Sequence, residues 1–452
     1  MKSISTIILA AGVGKRMHSR VSKMLHYLAG KPLLEHVIQT AHHLDSTKPP
    51  IVVVGHQSKQ LRDALSHCFV TWVEQEHQLG TAHALLQALP HVSDHDHVLV
   101  LYGDVPLISL ETLKQLVTTT PSAAFGMLVA HSYQPTGYGR IKRNAKGRVI
   151  GIIEEKDATE EEQLITEINP GIYFLPARYL KKWLPALKNN NAQQEYYLTD
   201  IVAYAVQEDV SVYTIEPATI EEILGVNDRI QLAHLERFYQ RQQAEQLMRQ
   251  GVTICDPARL DVRGEVQIGQ DVCLDVNVIL EGRVVIGDHC IIGPHTILRN
   301  VTLGKGVEVK ANSIIDGAEI ASDCVIGPFA RIRPGTVLAS QVHVGNFVEL
   351  KNSIVDEKSK INHLSYIGDG EIGKRVNIGA GTITCNYDGM NKHKTIIGDD
   401  AFIGSDTQLI APVIIGEGAV LGAGSTLTKN APAHKLTLTH RLEQRSKNNG
   451  ID

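Results

Sequence analysis

Apolar residues over the first 226 positions alternate between two spacings. The run "STIILAA" (5–11) is short and continuously apolar, as a strand buried on both faces would be. "KPLLEHVIQTAHHL" (31–44) instead places Leu34, Val37, Ile38, Ala41 and Leu44 at helical spacing. "IVVVG" predicts the next strand, and Leu61, Ala64 and Leu65 the next helix. "FVTWV", "TAHALLQAL" and "HVLVLYGDVP" continue as strand, helix and strand. This order predicts a doubly wound α/β domain over 1–226. Ligands of such domains bind beyond the carboxyl ends of the strands.

Residues 227–250, "NDRIQLAHLERFYQRQQAEQLMRQ", predict one long helix stopped by Gly251. At 1.5 Å per residue it would span roughly 35 Å. Its centre, "QRQQAEQ", is almost wholly polar, which suits a linker between domains.

A third texture fills 251–452. Ile-Gly, Leu-Gly or Val-Gly pairs begin at 268, 286, 292, 303, 326, 344, 367, 372, 378, 397, 403, 415 and 421. Their gaps are multiples of six or differ from one by a single residue. This is a hexapeptide repeat and predicts a parallel β-helix. Six residues make a short strand and a corner, and three hexads make one triangular coil. The aliphatic residue points inward, and Gly, Asp or Asn makes the turn. Such prisms coil left-handed, an exception to the usual crossover rule. The gap from 378 to 397 contains the polar stretch "TITCNYDGMNKHK", which predicts a loop leaving the prism. The gap from Val344 to Ile367 is 23 rather than 24, which predicts a register slip near His363.

Composition narrows the class. Charged residues are 21% and apolar residues 43% of the 452, as in globular proteins. A net charge of −5 gives no reason to expect nucleic acid as a partner. Neither a signal peptide nor a membrane span is recognisable, so the expected location is cytoplasmic. Six cysteines occur, none in CxxC spacing, and the four at 273, 290, 324 and 385 are expected to be reduced and buried in the repeat. "HVSDHDH" (91–97) reads as a solvated loop rather than a metal cluster.

Candidate chemistry gathers after the strands. In "LAAGVGKRM" (9–17), Ala10, Ala11, Gly12 and Gly14 leave the backbone bare, so its N–H groups can approach phosphate oxygens or a base edge. Arg16 offers a forked cation, and Lys23 lies within reach of the same loop. Gly80 and Thr81 open a helix and present further N–H groups. Asp104, in "LYGDVP", is placed as a Mg²⁺ ligand would be, although a turn aspartate before Pro106 reads the same way.

Together "LAAGVGKRM", "QLGTAHA", "LYGDVPLI", "PTGYGRI", "EEKDAT", "EINPGIY" and "GVNDR" resemble the sugar-1-phosphate nucleotidyltransferases. The resemblance is closer to the bacterial bifunctional N-acetylglucosamine-1-phosphate uridyltransferase/glucosamine-1-phosphate acetyltransferase family and runs from about residue 5 to 441. It implies a Rossmann-like nucleotidyltransferase domain. Leu9, Ala10, Ala11, Gly12, Gln75, Gly80, Thr81 and Gly103 would line the nucleotide site, with Arg16 and Lys23 on the triphosphate of UTP. Tyr102, Gly139, Glu154 and Asn169 would surround N-acetylglucosamine-1-phosphate. Asp104 and Asn227 would ligate Mg²⁺. Lys15 and Ser22 depart from the family, which commonly has Thr and Pro there.

In the repeat half, the informative residues are polar ones that break the period. These are Arg331, Arg333, Glu349, Lys351, His363, Tyr366, Asn377, Asn386 and Tyr387. The resemblance implies an acetyltransferase site. Arg333, Lys351, Tyr366 and Asn377 would hold glucosamine-1-phosphate. Ala380, Asn386, Tyr387, Ser405, Ala423 and Arg441 would contact acetyl-CoA, with His440 an alternative to Arg441. His363 would be the general base, since an imidazole of ordinary pKa near 6.5 is mostly neutral at pH 7. Glu349 is expected to orient it. Family members are trimers with this site between subunits, so a homotrimer is expected. The alternative reading is a monofunctional sugar-1-phosphate nucleotidyltransferase whose β-helix serves only oligomerisation; a nucleotide-sugar sensor is a third.

Overall fold

The structure is a computed structural model and describes residues 2–12 and 14–439. Contacts divide the chain into two units, 1–239 and 240–452, with the boundary inside a helix.

Unit one is built on a seven-stranded sheet. Its strands are β1 (Ile4–Ala10), β2 (Ile51–Val54), β3 (Thr71–Glu74), β4 (His97–Tyr102), β5 (Phe125–Leu128), β6 (Tyr173–Pro176) and β7 (Val212–Ile215). The order is β7-β5-β6-β4-β1-β2-β3. All neighbours are parallel except β6, which runs antiparallel to both β4 and β5. Every residue of β1 is buried, as its unbroken apolar run demands. Helix α1 (Leu33–Leu44) packs Leu34, Val37, Ile38 and Ala41 into one core and Leu33 into a small cluster with Met17 and Leu28, and α2 (Thr81–Ala88) packs Ala82, Ala84, Leu85 and Ala88 into another core. A four-stranded antiparallel sheet, including Gly139–Arg143 and Val149–Ile153, is the addition that the alternating pattern did not predict.

"HVSDHDH" corrects the solvated-loop expectation at its last two positions. Asp96 and His97 are buried. Asp96 accepts from Ser5 Oγ at 2.6 Å and pairs with Lys48 at 2.8 Å; the His97 ring stacks on Phe174. The sequence pattern marks polarity but not its tertiary partners.

Helix α3 spans Arg229–Arg249. Its C-terminal part belongs to unit two, where Ala244 and Leu247 join the core.

Unit two is a parallel coil whose inward side chains form three columns. One runs Leu274, Ile292, Val309, Ile326, Val344, Ile361, Ile378, Ile403 and Leu421. A second includes Leu298, Ile315, Ile332, Leu350 and Ile367, and a third Leu303, Ile320, Leu338, Val355 and Ile372. All of these are buried. Each contributes roughly 2–3 kcal/mol against its neighbours above and below. The loop around 386–394 leaves the prism at the corner between the second and third columns, after Cys385 and before Thr395, so Ile378 still pairs directly with Ile403; a bridge between Tyr387 and Lys392 closes the loop.

The structure corrects two details. The short step lies between Leu350 and Val355, whereas Ile361 and Ile367 around His363 are regularly spaced. The same short side recurs at Leu298–Leu303 and Ile315–Ile320, so it belongs to one corner of the prism. Among the repeat cysteines, Cys290 and Cys324 are buried, but Cys273 and Cys385 are only half-buried because they face outward.

Candidate active sites

The first site opens at the carboxyl ends of β1 and β4. One cavity is lined by Leu9, Ala11, Gly12, Lys23, Gln75, Gly80, Thr81, Tyr102 and Asp104. Among the described residues, its chain neighbours apart, no atom lies within 4 Å of where a Gly12 Cβ would stand, so this backbone faces open space. Gly80 differs: its φ is +115 and a Cβ would come within 2.6 Å of the Tyr196 carbonyl oxygen. It is the residue before α2, where only glycine fits. The buried Gln75 is fixed by its amide donating to Gly80 O at 3.2 Å. Gly103 is a packing position, since a Cβ would meet Ala10, Leu34 and Met24. Ala10 is buried, while Arg16 is exposed on a short 3-10 turn outside the cavity lining.

Ser22 stands where the resemblance noted above implies proline. Its φ of −52 is one that proline adopts, but its N–H donates to Gln60 Oε1 at 2.9 Å. A proline could not make that bond.

Tyr102 continues the site toward Gly139, Glu154 and Asn169. A Cβ at Gly171 would strike the Tyr102 ring at 2.6 Å, so the "NPG" turn presses on that ring. Asn169 donates to Tyr173 Oη at 2.8 Å and accepts from Gly171 N–H at 3.1 Å. Glu154 accepts from Thr199 Oγ1 at 3.0 Å. Burial pushes the Glu154 carboxyl up, and the nearby Asp200 and Asp157 charges add to this. Gly139 lies beside Glu154, with Oε1 3.6 Å from where its Cβ would be.

Asp104 and Asn227 meet through the backbone. Val226 N–H donates to Asp104 O at 2.8 Å, which brings the next residue to the end of β4. Lys23 Nζ pairs with Asp104 Oδ2 and donates to Asn227 Oδ1 at 3.2 Å. A carboxylate and an amide oxygen are hard donors that fit a divalent cation, and an ammonium already stands in for one. Among the described residues no cluster of three or more His, Cys, Asp or Glu could hold a metal. A cation here therefore needs substrate oxygens as further ligands.

The second site follows one corner of the prism. Asn346 and His363 face each other in adjacent coils, with Asn346 Oδ1 3.0 Å from His363 Nδ1. An amide oxygen only accepts, so this contact suits the tautomer that carries its proton on Nδ1 and its lone pair on Nε2. Glu349 is not the orienting group expected; it pairs with Arg333 at 2.8 Å. Backbone bonds from Asp406 N–H to Ala380 O and from Gly424 N–H to Ser405 O continue the same corner. With Gly381 N–H donating to His363 O, Ala380, Ser405 and Ala423 follow His363 along one edge, and all three are small. Beside it Phe329, Phe347 and Leu364 are exposed with φ values of 56, 56 and 47, and the two rings stack at 5.3 Å. Bulky residues in that left-handed conformation are strained.

Around the corner lies a cationic cluster. Lys351 Nζ donates to Asp369 Oδ2 at 3.3 Å, and Asn386 Nδ2 and Asn352 Nδ2 donate to the same carboxylate at 2.5 and 2.7 Å. Lys392, on the projecting loop, faces Lys351, with Arg333 near enough to act on it. The Lys351 contact holds the Lys392 amine below its ordinary range. Burial pulls Lys351 down, but bonding to Lys392 and Asp369 outweighs it. Two facing lysine side chains beside a guanidinium suit a phosphate, whose charge would favour the ammonium form of both. The loop itself is held by Asp388, which accepts from Met390, Asn391 and His393. Tyr366 pairs with Glu349 and Ile383 in this outward row. Tyr387 is exposed on the loop.

Sequence reasoning missed Asn346, Asp369 and Lys392. The signal for Asp369 was the acid in "IGDG", and for Lys392 the loop itself. Asn346 had none, because asparagine is an ordinary corner residue. Asn377 is not brought to the cluster; it faces outward in the strand row with His343 and Lys360. Arg441 and His440 lie outside the described residues.

Comparison with known proteins is extensive. Residues 6–251 match the MobA-like NTP transferase domain, 262–355 the GMPPB C-terminal domain, and 394–429 the bacterial transferase hexapeptide (six repeats). The chain is 52% identical over 436 residues to the "Bifunctional protein GlmU" of Cupriavidus pinatubonensis, covering 96% of each chain. It is 53% identical to that of Aromatoleum aromaticum, again over 96% of each. It is 54% identical to that of Methylococcus capsulatus, over 96% of this chain and 95% of the other.

Proposed function

The chain belongs to the bifunctional GlmU family, and on that premise we propose how its two sites divide the synthesis of UDP-N-acetylglucosamine. The prism transfers acetyl from acetyl-CoA to glucosamine-1-phosphate. The α/β unit then transfers uridylyl from UTP to N-acetylglucosamine-1-phosphate and releases pyrophosphate.

In acetyl transfer, the substrate amine attacks the thioester carbonyl and the C–S bond breaks. His363 Nε2 takes the proton that the amine loses, and CoA leaves as the thiolate. Arg333, Lys351 and Lys392 hold the sugar phosphate, with Tyr366 beside them. Acetyl-CoA lies along Ala380, Ser405 and Ala423 and reaches Asn386 and Tyr387. The single observation that carries this reading is the Asn346–His363 contact, which prepares a base that a mere oligomerisation stalk would not need. Asn377 sits on another row of the prism, so a copy of this chain supplies it; this, with the exposed Phe329, Phe347 and Leu364 ridge, supports a homotrimer.

In uridylyl transfer, the sugar phosphate oxygen attacks the α-phosphorus of UTP in line with departing pyrophosphate. No protein nucleophile is required. Gly12, Gln75, Gly80 and Thr81 hold the nucleoside; Arg16 and Lys23 hold the phosphates. Glu154, Asn169, Gly139 and Tyr102 orient the sugar. Asp104 and Asn227 would hold Mg²⁺, which when bound would supply neutralisation of the phosphate charge.

One assay tests both halves. Glucosamine-1-phosphate, acetyl-CoA, UTP and Mg²⁺ are supplied, and CoA, pyrophosphate and UDP-N-acetylglucosamine are followed separately. His363→Ala should abolish CoA release from glucosamine-1-phosphate and leave pyrophosphate release from N-acetylglucosamine-1-phosphate intact. Equal loss of both would count against the assignment.

A further inference from the structure

We propose that Lys23 is the resident counter-cation of the metal site, and that it must leave Asp104 before a divalent cation can enter. Metal is then loaded together with the nucleotide and not ahead of it. This rests on the reading that Asp104 and Asn227 are the metal ligands.

The argument is one of shared oxygens. Lys23 Nζ binds Asp104 Oδ2 and lies 3.2 Å from Asn227 Oδ1. Those are the two oxygens a metal would use. An ammonium and a divalent cation cannot both sit against them, because they repel and occupy the same space. The Asp104 carboxylate is only 17% exposed, so releasing it without a replacement cation leaves a poorly solvated charge. The exchange is therefore paired.

Lys23 is also held so that only its tip can move. It opens the short turn Lys23–Leu25, whose three residues are buried. A Cβ at Gly14 would come within 2.7 Å of Lys23 Cβ, so the glycine loop closes on the base of the side chain. The tip swings on a fixed stem. Lys23 lines the same cavity as Gly12, Gly80 and Thr81, where the triphosphate is expected. An entering triphosphate thus offers Nζ a new anionic partner while bringing the cation that replaces it at Asp104.

Mn²⁺ binding to the full-length, nucleotide-free protein, read by electron paramagnetic resonance of the free ion, tests this. Lys23→Gln and Lys23→Met should each bind Mn²⁺ roughly tenfold more tightly than the unaltered chain. Adding Asp104→Asn to either should remove the gain. Circular dichroism checks that each variant is folded, and the Met variant preserves the packed stem. If neither Lys23 variant binds Mn²⁺ more tightly, the counter-cation proposal is overturned. A tighter affinity that survives Asp104→Asn would overturn instead the assignment of the metal ligands. That assignment has its own arm: with a nonhydrolysable UTP analogue present, Asp104→Asn alone should weaken Mn²⁺ binding.

Discussion

Asn346 Oδ1 lies 3.0 Å from His363 Nδ1, across one step between adjacent coils. The contact suits a ring protonated at Nδ1, which on the proposed mechanism leaves Nε2 to act as the base. Asn346→Ala should lower kcat for acetyl transfer on the order of tenfold to hundredfold, less than His363→Ala does. Uridylyl transfer should not change. Steady-state assays of the two half-reactions check this, and an acetyl-transfer kcat within twofold of the parent would refute it.

Lys392 meets Lys351 only because the loop folds back onto the prism. Removing it should weaken phosphate binding more than it slows chemistry. Lys392→Ala is expected to raise KM for glucosamine-1-phosphate roughly tenfold or more, with a smaller change in kcat. The KM for acetyl-CoA should stay within error. The opposite split would place Lys392 in the chemical step.

Gly12 and Gly80 are both glycine, for different reasons. Among the described residues, its chain neighbours apart, none approaches the space beside Gly12, so Gly12→Ala should keep Tm unchanged and raise KM for UTP. Gly80→Ala forces a Cβ onto the Tyr196 backbone at a positive φ and should cost ~2 kcal/mol of stability. Calorimetry beside UTP kinetics separates the two effects.

Glu154 carries a pH signature. Burial raises its folded pKa above the ordinary 4.5, so the folded state binds the proton more tightly than the unfolded state. Its stabilising protonation is complete below about pH 4.5 and is lost as pH rises through the raised folded value. Glu154→Gln should therefore raise Tm at pH 7.5, with the advantage vanishing near pH 4, while uridylyl transfer falls. A Tm lower than the parent at pH 7.5 would contradict the burial argument.

Asn377 and Lys351 lie in different outward rows of one prism. Mixing subunits should expose a shared site: His363→Ala and Asn377→Ala, each inactive in acetyl transfer alone, should recover part of it when co-expressed. No recovery in a mixed assembly, verified by mass, would mean that each chain holds a complete site.

The sequence by itself determined the two textures, the hexad columns and most of the nucleotide cavity. Its periods are local: a strand, a helix turn or a corner repeats within a few residues, so Ile361 and Ile367 declare their inward direction without any partner. The glycines after β1 and before α2 were legible for the same reason, as each answers a backbone demand at its own position. What only the tertiary structure decided was pairing. Asn346 rather than Glu349 reaches His363 because coil stacking sets adjacency through turn length. Lys392 reaches Lys351 because the loop closes on itself. Lys23 rests on Asp104 and Asn227 because a single backbone bond from Val226 brings two distant segments together. Hydrogen bonds and ion pairs act over about 3 Å, and that separation has no counterpart in the order of residues along a chain.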